Sequence, residues 1–473
     1  MLKCHPVRIF LSLKYTIQMG AIPVLKKILP DDITNKLAKY LYNRFAPSSK
    51  TLMKKQIGFL AAFLFFAAAP VFGQKLLIYM DLKQTDHLKA YGVAYWALER
   101  GVNVEWLLNY RGGSFMLDYL PELERECRVR GVAFDAVGGG QAAQVYADIE
   151  GANMEVIFLE KAPAIAIYTP QNKQVWDDAV TLVLDYAEIT FTKLWDEEVL
   201  AGDLQKYDWL HLHHEDFSGQ YGRFYANFHS APWYQEEVAK NEALAKKLGF
   251  TKVSELKRAV AHAVKEYALR GGFLFAMCSA TDTIDLTLAA RGTDICAAIF
   301  DYDPPSPNAQ NELDFSATFA FENFVLEMNP LVYEHSDIDY PPSNSPRLRS
   351  ADADYFTLFE FSAKYDPVPA MLTQDHVALV KGFMGQTTGF KRALIKKHVT
   401  VLGDVPGTEE VKYIHGNIGR GTFTFYGGHD PEDYQHMVYD PPTQLSLHKN
   451  SPGYRLILNN VLFPAAKKKK RKT

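Results

Sequence analysis

Cys278 stands where the apolar run "GGFLFAM" hands over to the helical pattern "SATDTIDLTLAARG". A cysteine at the start of a helix meets backbone N–H groups and the positive end of the helix dipole, which favour thiolate over thiol. Ser279 and Asp282 fit the S-x-x-D start of a capping box, and Ala276 and Ala280, two residues to either side of the thiol, are small enough for a tight strand-to-helix elbow. The competing reading is a small, inert cysteine packed between strand and helix. A nucleophilic thiolate needs a basic partner, and the base needs an orienting carboxylate. "FYGGHDPE" carries both types, His429 followed by Asp430 and Glu432, at the end of a later strand pattern. The bland alternative there is a polar turn with a solvent-exposed histidine.

A second constellation is His211, His213, His214, Glu215 and Asp216. Strand alternation sends His211 and His213 to one face and leaves the others where the strand runs out. These residue types hold divalent metals, with His211, His213 and His214 as candidate ligands, yet the helical HExxH spacing is absent. The same residues also suit hydrogen bonding to a polar substrate or a structural polar network, so no metal or cofactor is fixed by sequence. Gly138, Gly139 and Gly140 lack the G-x-G-x-x-G spacing of a nucleotide loop.

The elements that must position these groups read as α/β. "KLLIYMD" (75–81) has strand character, "HLKAYGVAYWALERG" is helical, and "VNVEWLLNY" is a second strand, a spacing that predicts a βαβ unit and a parallel sheet covered by helices. "APAIAIYTP" (162–170), the helix pattern 175–187, "ITFTKLW" and "YDWLHLHHEDF" repeat the alternation. An aromatic, polar insertion (218–252) precedes the helix "VSELKRAVAHAVKEYALRGG" and the strand "FLFAM", and "GTFTFY" (421–426) resumes the sheet. The expectation is a doubly wound, mostly parallel sheet with insertions. Its core spans 75–300 and 410–464, and a turn-rich insertion or lid with helices fills 301–409. Ligands bind such sheets at the carboxyl ends of the strands, which adds Asp86, His87 and Arg111 to His213, His214, Glu215 and Asp216 as candidate substrate contacts.

With 473 residues, 48% hydrophobic, and a net charge of -4, the composition is globular and leaves no electrostatic footprint for nucleic acid. The partner expected is a small molecule, a peptide or a carbohydrate. Residues 53–74 have the layout of a signal peptide, two lysines, a short apolar core and a small-residue exit near Gly73-Gln74. The mature protein is then exported, periplasmic or extracellular. Residues 1–52 lie upstream of that signal and are not expected in the native protein, although "LPDDITNKLAKYLYNRF" within them is amphipathic enough for a membrane-surface helix. Membrane contact is expected only through the signal peptide or the basic tail at 465–473. The four cysteines, Cys4, Cys127, Cys278 and Cys296, show neither CxxC nor metal-finger spacing.

"GGFLFAMC" and "FYGGHDPE" on a βα sheet resemble the class I glutamine amidotransferase-like superfamily, over roughly 75–300 and 410–464. The resemblance implies a flavodoxin-like fold with Cys278 as nucleophile, His429 as base and Glu432 as orienting carboxylate. The histidine-proline-glutamate of that family is one residue longer here, which admits Asp430 to the third role. "HHEDF" also stands where amidotransferases present a glycine pair for the oxyanion, which implies a changed substrate. "GGHD" resembles the trehalose-utilisation-type branch of the same superfamily. "MDLKQTDHLKAYGVAYWALERG" and "EWLLNYRGGSF" resemble exported Bacteroidetes proteins called asparagine synthetase B. That name implies a mature chain beginning with a nucleophilic cysteine and a Ser/Gly-rich ATP loop, and neither is visible in this sequence.

Overall fold

Apolar Lys75–Ile78 forms strand β1, and His87–Glu99 forms a helix whose N-cap is Asp86, its carboxylate accepting from the Lys89 N–H at 3.0 Å. The computed structural model describes residues 74–170, 174–340, 354–381, 389–433 and 438–467. The upstream extension, the signal-peptide pattern and most of the basic tail lie outside the described residues. Among those that are described, no helix is long and apolar enough to cross a membrane.

Strand β2 (Val104–Leu108) does not pair with β1. Asn109, Arg111, Gly112 and Gly113 adopt left-handed backbone and turn the chain tightly into β3 (Ser114–Asp118), which wedges between β1 and β2 and runs antiparallel to both. With β4 (Phe134–Val137) and β5 (Glu155–Leu159) the result is a five-stranded antiparallel sheet, order β4-β1-β3-β2-β5. The parallel unit expected over 75–110 is therefore corrected to a split βαβ: the Gly-rich turn builds a hairpin whose second strand separates the two that were to be neighbours.

Parallel pairing begins at β6 (Ile165–Tyr168), which takes β7 (Thr192–Leu194) on one side and β8 (Trp209–Leu212) on the other. β9 (Phe273–Met277) pairs parallel with β8. Strands β10 (Tyr355–Leu358), β11 (Leu379–Lys381), β13 (Thr400–Asp404) and β14 (Glu410–Ile418) form an antiparallel wing, with the short β12 (Phe390–Lys391) paired to β14. β15 (Gly421–Tyr426) joins the halves, antiparallel to β14 and parallel to β9. The architecture is mixed α/β.

Alternation assigns the faces. Phe273, Phe275 and Met277 enter one core with helices His87–Glu99, Ala179–Ala187 and Pro452–Leu462, while Leu274 and Ala276 enter another with helices Val253–Leu269 and Ala280–Ala289. Burial on both faces explains why β9 reads as an unbroken apolar run. Asp285, inside the helix after the thiol, accepts the N–H groups of Phe319, Ala320 and Phe321 at 2.6, 2.7 and 2.9 Å. That fastens the turn-rich insertion to the cysteine's own helix.

Candidate active site at the carboxyl edge of the parallel sheet

Cys278 follows β9 directly and sits at φ 51°, a left-handed conformation that costs a residue with a Cβ about 1–2 kcal/mol. The bend is held from both flanking strands. The Cys278 N–H donates to the Gly428 carbonyl beyond β15 at 3.0 Å, and the Ala280 N–H donates to the His213 carbonyl beyond β8 at 3.0 Å. Ser279 donates its hydroxyl to the His214 carbonyl at 2.9 Å, so the expected capping box does not form. Ala276 and Ala280 are fully buried, as an elbow this tight requires.

The cluster after β8 sorts itself by alternation. His211 and His213 share a face and converge on Asp178, whose Oδ2 lies 3.3 Å from His211 Nε2 and 3.1 Å from His213 Nδ1. Asp178 also N-caps the helix Ala179–Ala187, accepting from the Thr181 N–H at 2.6 Å. Burial alone would raise the Asp178 carboxyl, but the two imidazoles outweigh it and hold it well below the ordinary range. The His213 ring stacks on His214 with centroids 3.9 Å apart. His429, one residue past the carbonyl that anchors Cys278, places Nε2 at 3.1 and 3.2 Å from the two ring nitrogens of His214. One ring nitrogen from each of His213, His214 and His429 lies within 4.8 Å of the other two, as does one ligand atom from each of Asp178, His211 and His213.

The carboxylates expected behind His429 have other duties. Asp430 accepts from Tyr454 Oη at 2.7 Å, Thr443 Oγ1 at 3.0 Å and the Glu432 N–H at 3.0 Å, while Glu432 lies 3.1 Å from His448 Nδ1. Asp216 gathers the N–H groups of Ser218, Gln220 and Gly222 at 2.7 to 3.0 Å and faces His335 Nε2 at 3.2 Å, which makes it the staple of its own loop. Asp86, His87 and Arg111 belong to a different neighbourhood. His87 stacks on His376 and bonds Asn450 and the Met80 carbonyl, and Arg111 pairs with Asp81 at 2.7 Å. The buried Arg455 donates to the Met80 and Gly112 carbonyls there and locks the antiparallel sheet to the C-terminal helix.

A small cleft beside His214 is lined in part by Trp176, Glu215, Phe224 and Glu237. The buried Arg223, next in sequence to the lining residues Gly222 and Phe224, donates to the carbonyls of Glu327 and Glu334. Burial pushes the Glu215 carboxyl up to about 8 and the Glu237 carboxyl up to about 7. A carboxyl raised in the folded state binds a proton that the unfolded chain has already lost between about pH 4.5 and 8, so it makes stability fall as pH rises through that window. Glu215→Gln is therefore expected to melt higher than wild type at pH 8.5 and to show no advantage at pH 5, as thermal denaturation across that range would read.

No family model and no curated protein matches the chain. Among solved structures, it is similar to two cytoplasmic proteins of Salmonella typhimurium. STM3548 is 11% identical, with 65% of this chain and 100% of that chain covered at a TM-score of 0.30. STM1381 is also 11% identical, with 64% and 100% covered at 0.27. The GH42 β-galactosidase Gan42B is 12% identical over 57% of this chain and 28% of its own, at 0.23. Overlaps this loose say nothing about the site.

Sequence reasoning missed Asp178, His335 and Trp176. Asp178 had a usable signal: an aspartate directly before an apolar helical period is an N-cap, and the N-cap after a parallel strand sits at the sheet's binding edge. His335 had none, because its partner Asp216 is 119 residues away in the chain.

Proposed function

We propose that this chain is an exported cysteine-dependent hydrolase or transferase acting on an amide or related acyl bond, with an amidotransferase-like, flavodoxin-like core. The observation that carries the reading is the strained bend at Cys278, anchored to the carbonyl next to His429. A left-handed residue persists only where its surroundings over-determine it, and here two neighbouring strand ends do so. The order of the parallel strands, β7-β6-β8-β9-β15, is 2-1-3-4-5 in chain order, which supports the flavodoxin-like reading. Asp178, His213, Cys278 and His429 all follow the carboxyl ends of those strands.

In this mechanism the Cys278 thiol gives its proton to His429, and the sulfur attacks the acyl carbon to form a tetrahedral oxyanion. Collapse breaks the bond to the leaving amine, which takes the proton back from His429. Water, or a second amine, then cleaves the thioester and releases Cys278. The Ser279 backbone N–H, directly after the thiol, is the donor assigned to the oxyanion, because the Cys278, Ala280 and Thr281 N–H groups already donate to the Gly428, His213 and Cys278 carbonyls. The loop 111–114 packs against Met80, Gln374 and Asp375. The substrate's remainder, from a small molecule, a peptide or a carbohydrate, lies in the cleft against Trp176 and Phe224.

The test is the pH dependence of iodoacetamide alkylation, read by peptide mass spectrometry with Cys127 and Cys296 as internal controls. All three described cysteines are buried, so exposure does not single out Cys278; burial pushes the Cys127 thiol up to about 12 and the Cys296 thiol higher than its ordinary value. Cys278 should react selectively, with an apparent pKa below the ~8.5 of a free thiol, and His429→Ala should remove that shift. Labelling of Cys278 only after unfolding would make it a packing residue and end the nucleophile reading.

A further inference from the structure

We propose that His213, His214 and His429 form a binding site for a divalent transition-metal ion of the zinc class, with Asp178 as its outer carboxylate. The inference does not depend on Cys278 being a nucleophile. Zinc takes imidazole nitrogens at about 2.0–2.1 Å in tetrahedral array, so two nitrogens on one ion stand about 3.3 Å apart. One ring nitrogen from each of His213, His214 and His429 lies within 4.8 Å of the other two, so the three imidazoles can reach that spacing by ring rotation without moving the backbone. Three imidazoles drawn from two loops around one point form the donor set of an open zinc site, leaving a position for water or ligand.

The surroundings fit as well. A metal-bound histidine usually gives its other ring nitrogen to a carboxylate, which fixes the tautomer and ring direction. His213 Nδ1 already faces Asp178 Oδ2 at 3.1 Å, and Asp178 is itself fixed by the Thr181 N–H and His211. The role expected of His211 as a ligand passes to the second layer: its Nδ1 lies 3.2 Å from the Phe275 carbonyl and its Nε2 faces Asp178. One adjustment is needed, because His213 and His214 stack at an interplanar angle of 7° and both cannot aim in-plane at one ion. Binding must turn His214 out of that stack, and its ring sits 5.4 Å from Trp176. Indole fluorescence is thus a built-in reporter. An ion in this place also occupies His429, so metal binding and base function toward Cys278 exclude each other.

The full chain would be dialysed against zinc, and separately cobalt, and its metal content measured, with the cobalt visible spectrum and tryptophan emission recorded in parallel. One ion per chain is expected, with intense tetrahedral-type cobalt bands and a Trp176 signal absent in Trp176→Phe. His213→Ala, His214→Ala and His429→Ala should each lose the ion, and Asp178→Asn should weaken it 10–100-fold. His214→Gln, closer in size, guards against loss through misfolding and should also lose it while melting near wild type. Cys278→Ala should keep the ion, which separates this site from the thiol chemistry. Uptake that survives His214→Gln, uptake lost with Cys278→Ala, or no uptake by a folded chain would each overturn the proposal.

Discussion

Cys278→Gly is expected to be more stable than Cys278→Ala by about 1 kcal/mol, while neither variant is alkylated at position 278. The sign is the informative part. In ordinary helix or strand interiors glycine is the worse residue by roughly 0.5–1 kcal/mol, because it loses more backbone freedom on folding. At φ 51° the order inverts, since alanine keeps the Cβ clash and glycine does not. Both variants remove the same sulfur, so burial of the thiol cancels between them. Paired denaturant titrations, with mass spectrometry for labelling, read both effects. Alanine matching or exceeding glycine would mean the bend is relaxed, and with it would go the argument that the fold holds the buried Cys278 in a strained elbow. A more stable, inert glycine variant would show that the chain spends stability on the position of one side chain.

The largest stability effect is expected at Lys257. Its ammonium lies 3.0 and 3.1 Å from the two oxygens of Asp196 and 2.9 Å from Tyr168 Oη, and Asp196 is fully buried. Lys257 also covers the Trp195 ring at 3.9 Å. Lys257→Met leaves a carboxylate in an apolar setting with no counter-charge, and should cost about 3–5 kcal/mol. The double variant Lys257→Met/Asp196→Leu should recover most of that loss, because an ion pair replaced by packed apolar groups is often neutral or better. A double-mutant cycle by chemical denaturation checks this. Equal losses in single and double variants would place the contribution in packing of the lysine stem rather than in the pair. The site would feel the change too, since Lys257 lines the cleft beside Glu215.

What could be read from the sequence divides along a physical line. "FLFAM" was legible because a strand buried on both faces is an unbroken apolar run, "GTFTFY" was legible from its aromatic and β-branched residues, and within "YDWLHLHHEDF" the strand β8 takes only Trp209–Leu212. Their partners were not legible, because period-two patterning fixes which face a residue takes and says nothing about which strand lies beside it. That is how "SFMLD" went unread as a strand. The signal was present in the five residues 109–113 with two glycines, a hairpin length, and it converts the first expected parallel unit into an antiparallel sheet. The meeting of His429 with His214 was beyond reach, since 215 residues separate them and only the β8-β9-β15 pairing brings them together. Asp430 and Glu432 were read into the catalytic set from their place after His429 and from the family resemblance, and neither source could foresee their bonds to Tyr454, Thr443 and His448.

The union of β9 with β15 has a consequence for synthesis. The anchor of Cys278 on Gly428 joins residues on opposite sides of the whole antiparallel wing, so it closes late and at high entropic cost. A ribosome that has delivered everything up to Ile418 has made the thiol, its helix and the histidines after β8, but not His429, and has left β9 as an open sheet edge. The nascent chain is thus prone to sticking until its last stretch emerges. A chain ending early should be lost to aggregation.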